Sequence, residues 1–171
     1  MPNLPPYAYV PGLFPHPQSD PAGHHHTHPV AVDPTERFAW GVSLFNQGFY
    51  WEAHEVWESL WLERGRSGPE ADFLKGLIRL AACGVKHREQ RADGVADHAQ
   101  GAARLFQRSG QDCFGLRLEE MLTYCEQAEE MGAAPAEEPP VRVVFAFVLR
   151  PNEREEKPGT GDPENINRRQ S

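Results

Sequence analysis

The chain has 171 residues, a formal net charge of -8 and 39% hydrophobic residues. That is enough for one domain with a real hydrophobic core, and too acidic for the basic footprint that nonspecific nucleic-acid binding needs. Its three cysteines, Cys83, Cys113 and Cys125, are odd in number and form no close pair, so a disulfide framework is not expected. Every apolar segment is interrupted by polar residues short of membrane-spanning length, and the N-terminus has neither the basic start nor the apolar run of a signal peptide. The expectation is a cytoplasmic protein that binds neither membrane nor nucleic acid.

Residues 1-32 carry Pro-Pro, Pro-Gly, Pro-His-Pro and a His24-His25-His26-Thr27-His28 cluster. Prolines at this density exclude a helix and predict an extended arm. The four histidines offer transition-metal donors, although a flexible or surface-hugging arm with merely polar histidines explains them better. Asp33-Pro34-Thr35-Glu36 has the pattern of a helix start, with Asp33 as N-cap and Pro34 at the first helical position. Phe38, Val42 and Phe45 give that first helix one apolar face. Gly48 permits a sharp connection into a second helix at about Phe49 to Glu63. Ser67 and Glu70 flank Pro69 as a second capping signature for a third helix over 69-90.

The third helix is apolar around most of its circumference, leaving a narrow polar face of Asp72, Lys75, Arg79, Lys86 and Gln90. A helix of that kind is covered on two or more sides and belongs at the centre of a bundle. Gly76 and Gly84 on it imply a close helix crossing or room for a ligand. A fourth helix follows at about Val95 to Gln107 and a fifth at Leu116 to Glu130. The β-branched run Val141 to Leu149 reads as a short strand, paired with Tyr7 to Val10 or with a second subunit. The fold class is therefore all-α: a compact bundle of about five helices with helix 69-90 central, an extended Pro/His-rich arm and a short C-terminal strand. The segments are 1-32 (arm), 33-132 (helical domain), 133-150 (linker and strand) and 151-171 (disordered tail).

The chemistry concentrates in Asn46 to Leu62, which puts three of the four tryptophans beside His54 and three glutamates. On a helical wheel, Tyr50, Trp57, Leu60 and Trp61 share an apolar arc that extends through Trp51 and Leu62. Glu52, Glu55, Ser59 and Glu63 fall on the opposite face and read as solvated. His54 and Glu58 lie one turn apart inside the arc, where such groups must be paired, neutralised or bound to something. His87 and His98 border the apolar arcs of two further helices. His54, Glu58, His87 and His98 thus form a candidate ligand set converging from three helices, with donors that suit Zn, Fe, Mn or Ni. The pattern His54-Glu55-x-x-Glu58 is not the zinc-protease HExxH motif, because its second histidine is missing. Lys75 and Arg79 face away from this site on the wheel, which disfavours an anionic substrate there.

The run Phe45-Asn46-Gln47-Gly48-Phe49-Tyr50-Trp51-Glu52-Ala53-His54-Glu55, continued by Glu58 and Trp61, resembles the first signature of the bacterial family named domain of unknown function 309. Phe73-Leu74-Lys75-Gly76-Leu77-Ile78 with Ala81, and Gly101-Ala102-Ala103-Arg104-Leu105, are similar to its later ones. The resemblance covers about residues 38-106 and implies a small all-helical cytoplasmic protein whose recurrent Glu and His positions fall on His54, Glu55, Glu58 and His87. It marks Glu55, which the wheel leaves peripheral.

Two function classes follow. One is a divalent-metal-dependent, hydrolase-like enzyme with Glu58, His54 and Glu55 as catalytic residues and His54, Glu58, His87 and His98 as metal ligands. The other is a noncatalytic module binding a small molecule, a peptide or a second copy of itself as a homo-oligomer, its Glu/His cluster being structural.

Overall fold

The computed structural model describes residues 3-25, 33-133 and 143-152. Among the described residues, five helices make an all-α bundle: α1 (Pro34–Asn46), α2 (Tyr50–Glu63), α3 (Pro69–Arg88), α4 (Ala92–Ser109) and α5 (Leu118–Met131). α1 starts as the sequence indicates, with Pro34 at its first turn and Asp33 Oδ1 accepting the Thr35 N–H at 2.8 Å. Ser67 does not cap α3. Gly68, with φ 93°, takes that position without a side-chain hydrogen bond. α4 begins at Ala92, earlier than the apolar pattern predicted.

α3 is the central element, packing against α2, α4 and α5, while α1 leans on α2. Its Phe73, Leu74, Leu77, Leu80, Ala81 and Cys83 are fully buried. Both of its singled-out glycines are close crossings filled by aromatic rings. A Cβ on Gly84 would lie 2.5 Å from the Tyr50 ring and one on Gly76 2.7 Å from the Phe106 ring. All three cysteines are buried thiols.

The expected C-terminal strand is not formed. Among the described residues there is no sheet, and 143-150 runs across the bundle with no strand beside it. Its alternation survives, since Phe145, Phe147 and Leu149 are buried while Val143, Ala146 and Arg150 are exposed. The backbone partners are side chains instead. Asn46 Nδ2 donates to the Leu149 carbonyl and Asn46 Oδ1 accepts the Leu149 N–H, both at 2.8 Å. Tyr50 Oη accepts the N–H of Val144 at 2.9 Å and of Phe145 at 3.4 Å. An asparagine amide presents one donor and one acceptor in a plane, as a neighbouring strand would, so the segment's polar groups are met without a ladder.

The arm lies on the helices. Ala8, Tyr9 and Val10 are buried, the Tyr9 ring packs edge-on to Trp51 at 5.0 Å, and Arg88, itself 1% exposed, donates to the Ala8 carbonyl at 3.3 Å. The predicted pairing of Tyr7 to Val10 with Val141 to Leu149 is therefore replaced by contact with α2 and α3. His26, His28 and the tail beyond Asn152 lie outside the described residues.

Two substitutions test this packing. Asn46→Ala removes both Leu149 hydrogen bonds and is expected to cost about 2 kcal/mol in urea unfolding. Gly84→Ala is expected to cost about 1–3 kcal/mol, because the fully buried Tyr50 ring has nowhere to move. Unchanged midpoints for both would contradict the packing described.

Candidate metal centre

Trp57, fully buried, lies so close to Gly41 of α1 that a Cβ there would collide with the indole nitrogen, and Tyr50 is seated on Gly84 of α3. These contacts turn the i, i+1, i+4 trio His54, Glu55 and Glu58 onto the edge of α2 beside α3. One ligand atom from each lies within 4.8 Å of the other two. Their side chains are 27%, 31% and 36% exposed, so the group is sheltered yet reachable from solvent.

Its polar atoms are poorly satisfied. His54 Nδ1 is 3.3 Å from Glu55 Oε1, within ion-pair range. The two lack hydrogen-bond alignment, however, and Nδ1 is buried with no hydrogen-bond partner among the described residues. Alignment decides whether a proton can be shared, so proximity alone leaves that nitrogen unpaired. On the far side, Glu58 Oε1 is 3.9 Å from Lys75 Nζ, and that ammonium sits 4.2 Å above the Trp61 ring. Lys75 therefore faces the site, against the wheel's expectation: α2 and α3 lie side by side, and a long lysine stem reaches across the seam between them.

The trio comes from α2 alone, not from three helices. Glu55 joins it, as the family resemblance implied and the wheel did not. His87 does not join it. Its Nδ1 is 2.6 Å from the Gly132 carbonyl, at the C-terminal end of α5. His98 on α4 is half-buried and outside the trio, and its Nδ1 is also buried without a hydrogen-bond partner among the described residues. Burial, followed by the Arg79 guanidinium, lowers its pKa, and the charge of His54 contributes in the same direction. His98 is therefore held neutral, with a lone pair to offer.

Glu52 is where the sequence reading misled. The wheel put it on the solvated face, whereas it is 6% exposed beneath the arm. Its Oε1 accepts the Tyr9 N–H at 3.0 Å and lies 3.3 Å from Nε2 of His24, an imidazole with no exposed surface that leans on the Tyr7 ring at 4.8 Å. Oε2 is buried without a hydrogen-bond partner among the described residues. Burial pushes this carboxyl up to about 7, outweighing the Tyr9 N–H and the Arg88 charge that pull it down, with Glu55 adding to the rise. The one hint in the sequence is the run Tyr7-Ala8-Tyr9-Val10, whose apolar surface needs a place on the bundle.

Residues 38–97 match the family model described as Domain of unknown function (DUF309). The DUF309 segment takes in α2 and α3 whole and so holds His54, Glu55, Glu58 and Lys75. The arm, α5 and residues 143-152 lie outside it. No curated protein and no solved structure matches the chain.

Glu52 gives a pH test. Its pKa rises on folding from 4.5 to about 7, so the folded state holds the extra proton. The stability this group contributes is full below about pH 4.5 and is lost as pH rises to about 7, a change on the order of 3 kcal/mol. Glu52→Gln keeps an acceptor for Tyr9 and cannot ionise. It is expected to match the wild type near pH 4.5 and to exceed it increasingly toward pH 8 in chemical unfolding. A pH-independent difference between the two would contradict the buried, protonated carboxyl.

Proposed function

We propose that the protein is a divalent-metal-dependent enzyme of hydrolase type, with His54, Glu55 and Glu58 as its ligand set and His98 as a further donor from α4. The observation that carries the reading is that His54 Nδ1 and Glu55 Oε1 lie 3.3 Å apart without an aligned hydrogen bond, with Glu58 in the same cluster of possible ligand atoms. A cation between them would supply what both lack. One imidazole and two carboxylates suit Mn or Fe, with Zn also compatible and the more nitrogen-loving Ni less so. His87, whose Nδ1 meets the Gly132 carbonyl, lies outside the clustered ligand atoms and is not part of this set.

A divalent ion lowers the pKa of its bound water and so provides a nucleophile near neutral pH. The chain's own residues would do the rest. Glu55 and Glu58 each have a second carboxylate oxygen able to take the proton that the water gives up. His98, kept neutral by burial and by Arg79, can accept a proton or complete the coordination. The competing noncatalytic reading would leave Glu58 neutralised by Lys75 alone.

The test uses untagged full-length chain with His25, His26 and His28 changed to Asn, so that the arm cannot capture the ion. Titration with Mn2+ is expected to give one equivalent bound. His54→Ala and Glu58→Gln are each expected to weaken binding at least about tenfold, as the loss of one ligand should, with thermal midpoints shifting only a few degrees. Uptake below a tenth of an equivalent, or loss of stability in His54→Ala with unaltered Mn2+ binding, would overturn the proposal.

A further inference from the structure

We infer that Lys75 makes the same site a receptor for tetrahedral oxyanions, so that its substrates carry a phosphoryl group; this rests on the metal-centre reading above. At 3.9 Å from Glu58 Oε1 the Lys75 ammonium is near enough for Coulomb attraction and too far for a hydrogen bond, and among the described residues no hydrogen bond engages it. What holds it is the face of Trp61, 4.2 Å away, a contact that positions the charge without using a hydrogen-bond acceptor. Arg66 lies over the same ring at 5.6 Å, so the indole anchors two cations at this edge.

An ammonium that is positioned but not spent is the arrangement an incoming anion requires. In the metal-free site Glu58 attracts it. A divalent ion on Glu58 would cancel that attraction and leave Lys75 facing whatever the metal binds. One helical turn further along α3, Arg79 adds positive charge, paired with Asp97 on α4 at 3.4 Å. The chain as a whole is acidic, at -8, so an anion could be held here only by such a local fixed cation. Lysine is a compact point charge with several donors and no preferred plane, which suits a phosphoryl group. Planar, two-pronged carboxylate recognition favours arginine.

The probe is inorganic phosphate, read through its effect on Mn2+ affinity in the full-length chain at constant ionic strength. Phosphate is expected to tighten Mn2+ binding about fivefold or more in the wild type, by the reciprocity of coupled ligands. Lys75→Gln should reduce that enhancement below about twofold while leaving phosphate-free Mn2+ binding as tight or tighter, since a repelling charge is gone. Lys75→Arg should keep most of the enhancement, and thermal unfolding of both variants checks that they fold. Equal enhancement in Lys75→Gln, none in the wild type, or the same enhancement by acetate would overturn the inference. Failure of the wild type to take up Mn2+ at all would overturn the metal reading with it, whereas Mn2+ uptake without phosphate coupling would overturn this inference alone.

Discussion

Two aromatic side chains seated on glycines set the rotation of α2, and the rest of the molecule follows from that rotation. Trp57 closes on Gly41 of α1 and Tyr50 on Gly84 of α3, at approaches no Cβ would allow. With both faces of the helix committed, His54, Glu55 and Glu58 have one place left, the seam beside α3 where Lys75 waits. Tyr50 also accepts the backbone N–H groups of Val144 and Phe145, so the contact that orients the site pins the C-terminal segment as well.

The five helices were legible because their signals are local. The Asp33-Pro34 start, the glycines around 65 and 68 and the nearly all-apolar α3 each act within a turn or two of chain. The failures share one cause, which is cover arriving from far away in sequence. Glu52 looks solvated on a wheel because the wheel cannot see Tyr9 and His24, which close over it from the arm. Residues 143-150 have a strand's alternation, but their hydrogen bonds go to Asn46, Tyr50 and Tyr124 side chains, so the inference from alternation to ladder fails. Similarly, the predicted convergence of His87 with His54 assumed that apolar arcs meet at one point. In the bundle His87 turns to the end of α5, and the trio assembles from consecutive turns of one helix.

The arm and the candidate metal centre are electrostatically linked. Glu52, Glu55 and Glu58 are spaced at intervals of three along α2, and three ionised carboxylates so close would repel one another. Burial beneath Tyr9 and His24 keeps Glu52 protonated to about pH 7, which reduces the negative charge facing Glu55. The arm lies outside the DUF309 segment while Glu52 lies inside it. A part of the chain beyond the matched span thus controls the charge state of a residue within it. Between a neutral Glu52 at one end and the Lys75 ammonium at the other, Glu55 and Glu58 are the carboxylates left to hold a cation.

The most direct measurement is a crystal of the full-length chain soaked in Mn2+, with diffraction recorded at the manganese edge. The ligand assignment requires an anomalous peak within about 2.0–2.3 Å of His54 Nδ1 and of carboxylate oxygens from Glu55 and Glu58. A peak confined to the arm histidines, or none at all with Lys75 Nζ hydrogen-bonded to Glu58, would contradict it.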